Sequence, residues 1–386
     1  MSGLARLRVA VLPWVVFCLA AGLGPARPVW ALETSARQAI LVDDTTGTVL
    51  LEKNADEAMA PSSMSKIMTV YMVFERLAEG TLALDDTFVV SKKAWRKGGS
   101  KMFVEVGKRV TVEDLLRGII VQSGNDACIA VAEGLSGTEE AFAEEMTVRG
   151  RDIGLRASVF KNASGWPEEG HVMSARDLAW LARRIIHDFP DYYHYFAETT
   201  FMYNGIRQGN RNPLLYRDTG VDGLKTGHTK AGGYGLAASA ERDGRRLILV
   251  VNGLKGPNER LREAERLIDY GFRAFNTYPL VAKGETVTEA DVWLGDAATV
   301  PLVIEEDFAV TLTRNARAKM EVKVVYEGPV PTPIARGDRL ASLIVAAPGT
   351  KPVEVPLVAG ADVGKLSVVR RLGAAVGYLI WGAEWP

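Results

Sequence analysis

A stretch that is apolar on nearly every side of a helix is stable only when other elements pack around it. This chain carries such a stretch from Ser63 to Leu77, holding Ile67, Met68, Val70, Tyr71, Met72, Val73 and Phe74. Gly80 is placed to stop it. The stretch opens with Pro61-Ser62-Ser63-Met64-Ser65-Lys66. A helix that starts at Ser62 or Ser63 sets Ser63 and Lys66 on one face, a turn apart. The free backbone N–H groups of a helix start favour negative charge developing there. A nucleophile, an amine base and part of an oxyanion site thus fall within four residues. Neither Ser62 nor Ser65 has a lysine three positions on. Ser-x-x-Lys alone also describes a helix cap followed by a surface lysine, but the apolar neighbours argue against a surface turn.

The chain has 386 residues, more than one core usually absorbs, so two folded domains are expected. Its net charge of −1, with both signs interspersed, gives no reason to expect a nucleic-acid partner. At the start, Arg6 and Arg8 precede an apolar run from Val9 to Leu23, and Val29-Trp30-Ala31 offers a small-residue cleavage site. That layout reads as a secretory signal peptide over residues 1–31, with the mature chain starting near Leu32; an uncleaved anchor is the alternative. Cys18 follows Phe17, a poor context for lipoprotein processing, and lies inside the part removed. Cys128 then remains alone, so no internal disulfide forms. The four histidines are scattered and make no metal-ligand spacing; neither a metal nor a cofactor is expected.

Ala39–Val42 and Thr48–Leu51 flank Asp44-Thr45-Thr46-Gly47 and read as a hairpin. Phe88–Val110 is mixed, with Lys97-Gly98-Gly99-Ser100 its most loop-like part. Thr111-Val112-Glu113-Asp114 resembles a capping box and opens a helix through Leu115, Leu116, Ile119 and Ile120. The helix breaks at Ser123-Gly124-Asn125, and a second begins at once. Taken locally, this is a helix–helix turn with Asn125 or Asp126 as cap. Further helices are expected over Glu139–Ile153 and after Ser174-Ala175-Arg176-Asp177, where Asp177 reads as a cap or loop organiser. Phe201–Leu215 reads as loop and short strand. Val221–Thr229, Gly232–Ala240 and Arg246–Val251 read as three adjacent strands, and Arg262–Phe275 as the helix after them.

Helices around a mostly antiparallel sheet predict an α+β domain over residues 32–278. From Val281 the pattern alternates between Pro and Gly clusters, as in Phe308–Leu312, Met320–Val324 and Val353–Val355. That predicts a small all-β domain over residues 279–362. Residues 363–386 read as an amphipathic helix. At about 100° per residue, Val368, Val369, Leu372, Val376, Leu379 and Ile380 share one side, with Arg370, Arg371 and Glu384 opposite, beside Trp381 and Trp385. The uncharged run Leu372–Ala383 is shorter than the about 20 residues a span requires. A helix lying in the membrane interface fits better, a helix docked on the β domain being the other reading.

Ser63-x-x-Lys66, Ser123-Gly124-Asn125 and Lys225-Thr226-Gly227 stand in this order, within the longer strings Gln122–Cys128, Asn204–Gln208 and Lys225–Thr229. Together they resemble the low-molecular-mass penicillin-binding proteins, the serine-type D-alanyl-D-alanine carboxypeptidases. The resemblance runs from about Arg37 to the end, and the β domain with its terminal helix is similar to the membrane-anchored Gram-negative branch. It implies the catalytic fold shared with serine β-lactamases. Ser62 stands where the family often has alanine, and no Leu-Asn dipeptide exists to complete a β-lactamase Glu-x-x-Leu-Asn element.

The resemblance implies removal of the terminal D-alanine from peptidoglycan stem pentapeptides through an acyl-enzyme on Ser63, with Lys66 as base. It implies that Ser123 passes a proton to the departing amine and that Asn125 holds Lys66 and the substrate amide. The N–H groups of Ser63 and His228 would bind the oxyanion. Lys225, Thr226 and Gly227, with Arg211 and Arg262, would meet the substrate carboxylate. β-Lactams would be trapped at Ser63. The implied setting is cell-wall biogenesis and shape control at the periplasmic face of the inner membrane, with the terminal helix as anchor. Endopeptidase or β-lactamase chemistry on the same scaffold, or a non-catalytic wall-binding module, are the rival readings.

Overall fold

The computed structural model describes residues 32–367. The chain divides into two compact units after Phe275. The expected signal peptide, residues 1–31, lies outside the described residues, as does all but the first five residues of the expected terminal helix.

The first unit is built on a five-stranded antiparallel sheet. Its strands are β1 (Gln38–Asp43), β2 (Val49–Lys53), β3 (Val221–Thr229), β4 (Gly233–Arg242) and β5 (Arg245–Leu254), in spatial order β2-β1-β5-β4-β3. Successive strand residues point to opposite faces, and here both faces are covered. Ile40, Val42, Ile248 and Val250 join one core, and Ala39, Leu41, Leu247, Leu249 and Val251 join the other. Burial on both faces is why these strands read as near-continuous apolar runs.

One core is filled by helices α1 (Lys66–Ala78), α2 (Val112–Ile120), α3 (Asn125–Ser136), α4 (Glu139–Asp152) and α5 (Ala175–Asp188). The other is closed by α6 (Pro257–Ala274), through Ala264, Leu267 and Ile268. The central helix α1 is buried almost throughout, as its composition requires. Its entry differs from the expected one: Ser62–Ser65 form a 3-10 turn, and the α-helix proper begins at Lys66. Thr111 caps α2 as expected, its hydroxyl accepting from Asp114 N at 3.2 Å.

Two local readings are corrected, and Asp177 takes one of the two roles expected of it. Helix α6 starts at Pro257, not Arg262, because Gly256-Pro257 forms its entry with proline in the first turn. Neither Asn125 nor Asp126 is the cap of α3; Gly124 holds that position without a side-chain bond. Asp126 instead receives the N–H groups of Met102, Phe103 and Val104 at 2.9, 3.0 and 3.3 Å, tying down the segment before α2. Asp177 is a loop organiser, accepting from Arg156 N, Ala157 N and Ser158 Oγ, while Ser174 caps α5.

The second unit is mainly β. A six-stranded sheet runs in the order Glu321–Tyr326, Arg339–Ala346, Val353–Ala359, Thr299–Val303, Thr286–Trp293 and Val330–Pro331, and Phe275–Val281 pairs with Phe308–Thr313. One helical turn, Arg314–Ala318, interrupts the expected all-β pattern; five residues are too few to leave a helical period in the sequence. Val363 bridges to Ile334 and Lys365 to Gly295, so residues 363 and 365 belong to this β unit and not to a helix. Among the described residues no helix is long and apolar enough to cross a membrane.

Candidate active site

The 3-10 turn carrying Ser63 lies against β3, the last strand of the sheet. There is no room for a side chain between them: a Cβ at Gly227 would stand 2.8 Å from the Pro61 carbonyl. Ser62 Oγ and Thr229 Oγ1 close the contact at 2.9 Å. From the other side comes the loop after α4, where a Cβ at Gly165 would stand 1.9 Å from the Ser62 carbonyl. The Ser63 turn is thus gripped by two backbone approaches that glycine alone permits.

Within that grip Ser63 is half-buried and Lys66 wholly buried. Lys66 Nζ donates to Ser63 Oγ at 3.0 Å, to Asn125 Oδ1 at 2.8 Å and to the Ser164 carbonyl. Asn125 is held in turn, its Nδ2 donating to the Gly98 carbonyl at 2.9 Å and its N–H to the Ser100 carbonyl at 2.7 Å. Ser123 is buried with a φ of 66°, in the left-handed region that few side-chain-bearing residues adopt. Its neighbour Gly124 donates to the Gly118 carbonyl at 2.8 Å, which fixes the turn between α2 and α3.

Lys225 and Thr226, on β3, are buried, and Arg211 bonds the Ser100 hydroxyl. Burial pushes the Lys66 ammonium down to about 8, and the Arg211 and Lys97 cations push the same way. Burial pushes Lys225 well below the ordinary lysine range too, with the Lys66 and Arg211 charges adding to it. Close cations in a dry site therefore disfavour each other's protonation. Cys128 has a thiol that burial raises to about 12, so it holds no thiolate near neutral pH and is a packed apolar residue.

Ser63, Lys66, Asn125, Lys225 and Arg211 are thus brought together, with Gly227 packed on the Ser63 turn. His228 is exposed and stacks on Tyr234 at 4.0 Å between ring centroids. Arg262 does not join them: it is exposed on α6. Two positions along a helix turn about 200°, so Arg260 takes the inward side. Arg260 is buried beside Tyr234, its Nε without a partner among the described residues, and its charge reaches Lys225. The Gly256-Pro257 helix start was the signal that would have pointed to Arg260. The Ser164 and Gly98 carbonyls were invisible to residue-type reasoning, since any residue supplies a carbonyl. Among the described residues no group of His, Cys, Asp or Glu could hold a metal ion.

Residues 25–256 match the D-alanyl-D-alanine carboxypeptidase family model, and residues 275–365 match that of the penicillin-binding protein 5 C-terminal domain. The chain belongs to the D-alanyl-D-alanine carboxypeptidase family. It is similar to D-alanyl-D-alanine carboxypeptidase DacC of Escherichia coli (strain K12), with 38% identity over 85% of this chain and 84% of the relative. Among solved structures it resembles penicillin binding protein 5 from Haemophilus influenzae, with a TM-score of 0.81 and 33% identity over 87% of this chain and all (100%) of the other. Penicillin-Binding Protein D2 from Listeria monocytogenes, solved in its ampicillin bound form, has a TM-score of 0.58 and 30% identity over 63% of this chain and 99% of the other. Serine-type carboxypeptidase activity on D-alanyl-D-alanine ends follows from membership of the family.

Proposed function

We propose that Ser63 is the nucleophile, Lys66 its base and Ser123 the proton relay in the release of D-alanine from peptidoglycan stem pentapeptides. The observation that carries this is the Lys66 amine, buried at 3.0 Å from the Ser63 hydroxyl. Neutral Lys66 takes the Ser63 proton as Oγ attacks the carbonyl between the two terminal D-alanines. The C–N bond then breaks, and the proton passes through Ser123 to the departing amine. Asn125 keeps the Lys66 amine aimed at Ser63 and holds the substrate amide. The N–H groups of Ser63 and His228 receive the oxyanion, and losing one such donor costs about 3 kcal/mol of transition-state stabilisation. Water completes the cycle by hydrolysing the ester. A β-lactam imitates the D-alanyl-D-alanine end and acylates Ser63; the ampicillin-bound Listeria relative supports that reading. Incubation with a penicillin followed by peptide mapping tests it. The adduct is expected on the peptide holding Ser63, and an adduct elsewhere overturns the assignment.

Lys225, Thr226, Arg211 and, in place of Arg262, Arg260 form the pocket for the substrate's C-terminal carboxylate. Arg260→Ala is expected to raise KM about tenfold, the scale of one lost charge-assisted hydrogen bond. Arg262→Ala should change KM less than about twofold, since exposed charges contribute little. Equal effects at both positions would refute the placement.

Export by the N-terminal leader and anchoring by residues 368–386 would set this site at the periplasmic face of the inner membrane, serving cell-wall biogenesis. The support is the amphipathic pattern and the tryptophans at positions 381 and 385. A chain ending at residue 367 is expected to stay active and leave washed membranes. Its retention there would rule out the anchor.

A further inference from the structure

A basic, tryptophan-bearing segment lies at the rim of the site. From Ser91 to Val104 the chain holds Lys92, Lys93, Arg96, Lys97 and Lys101 and no carboxylate. Lys93 is tied to Glu139 and Glu140 at 3.2 and 2.8 Å. The other four meet no carboxylate among the described residues. Two indoles stand partly clear of the protein, Trp95 at 43% and Trp166 at 41% exposure. Each carries a lysine: Lys97 Nζ lies 4.8 Å from the Trp166 ring centroid and Lys101 Nζ 5.9 Å from that of Trp95.

The segment is continuous with the site. Its Gly98 and Ser100 carbonyls hold Asn125, and Ser100 Oγ meets Arg211. Trp166 packs on its turn, where a Cβ at Gly99 would come within 3.0 Å of the ring. A substrate strand that leaves the cleft across this turn therefore meets indole faces and cations together. Flat indoles suit the C–H faces of sugar rings, and the lysine and arginine heads suit carboxylates.

We propose that this segment is a second binding surface, which holds the anionic glycopeptide polymer that carries the D-alanyl-D-alanine ends. Sugar rings lie on Trp95 and Trp166, and carboxylates meet Arg96, Lys97 and Lys101. The enzyme then favours ends attached to polymer over the same ends on a free peptide, because the polymer is held at two places at once. The inference rests on the carboxypeptidase reading. Cations beside tryptophan also suit an anionic lipid surface. The shared backbone contacts with Asn125 favour the polymer, since they place the segment where the substrate emerges.

The test compares the full chain with Trp95→Ala and with Arg96→Gln/Lys101→Gln. D-Alanine release is measured on pentapeptide-bearing peptidoglycan fragments and on a short soluble pentapeptide. The ratio of kcat/KM, polymer to free peptide, is expected to fall about tenfold in each variant, through KM on the polymer. The parent's preference is expected to shrink in high salt. In a Ser63→Ala background, the same changes should weaken co-sedimentation with insoluble peptidoglycan. An unchanged ratio overturns the proposal while the carboxypeptidase reading stands. So does weakened binding to phosphatidylglycerol vesicles with peptidoglycan binding intact, which would assign the surface to lipid. A parent that releases D-alanine from neither substrate overturns both readings.

Discussion

Ser63→Ala is expected to lower kcat for D-alanine release by about a millionfold, the scale on which a serine hydrolase loses its nucleophile. The two nearby serines cannot take over. Ser65 Oγ is buried and donates to the Ser62 carbonyl at 3.1 Å, and Ser62 Oγ is engaged with Thr229. The Lys66 amine bonds neither of them. The fold should survive, because Ser63 is half-buried and the change removes one hydrogen bond, about 1 kcal/mol. Thermal denaturation of the variant checks that point. The same variant should take up no penicillin on that peptide. Equal D-alanine release in variant and parent would mean that the motifs line a cleft without catalysing anything.

What could be read in advance tracks how local each signal is. Ser63 and Lys66 are three residues apart on one apolar stretch, so their contact follows from helical geometry. The strands also announced themselves, because burial on both faces leaves near-continuous apolar runs such as Leu247–Val251. Asn125 shows the limit. Its local context reads as a helix cap, and only the fold brings it to Lys66 from 59 positions away. The family resemblance, not the spacing, supplied that pairing in advance. Arg262 was misplaced for a concrete reason: with α6 started five residues late, the inward-facing arginine of its first turn was left in a loop. The carbonyls of Ser164, Gly98 and Ser100 carry no side-chain signature at all. Yet they hold Lys66 and Asn125, so part of the site is written in loop conformation alone.

That support bears directly on the second large effect, the pH response of Lys66. In the proposed mechanism its amine is neutral when it accepts the Ser63 proton, and burial pushes its titration down to about 8. The rate constant for acylation is therefore expected to rise with pH through about 8 and then level off. Lys66→Met should remove that limb and lower kcat/KM by about a thousandfold, within the range a positioned general base contributes. Stability gives an independent reading. Between about 8 and the ordinary lysine value of 10.5, the unfolded chain holds a proton that folded Lys66 has released. Stability should then increase with pH across that window, by roughly 3 kcal/mol from this residue. Lys225 is shifted in the same direction and adds to the slope, so the variant should show a shallower rise, not a flat line. Denaturant titrations of parent and variant across pH 7 to 10.5 measure the difference. Equal slopes, or a parent rate that does not respond to pH near 8, would show that this buried amine is not the base.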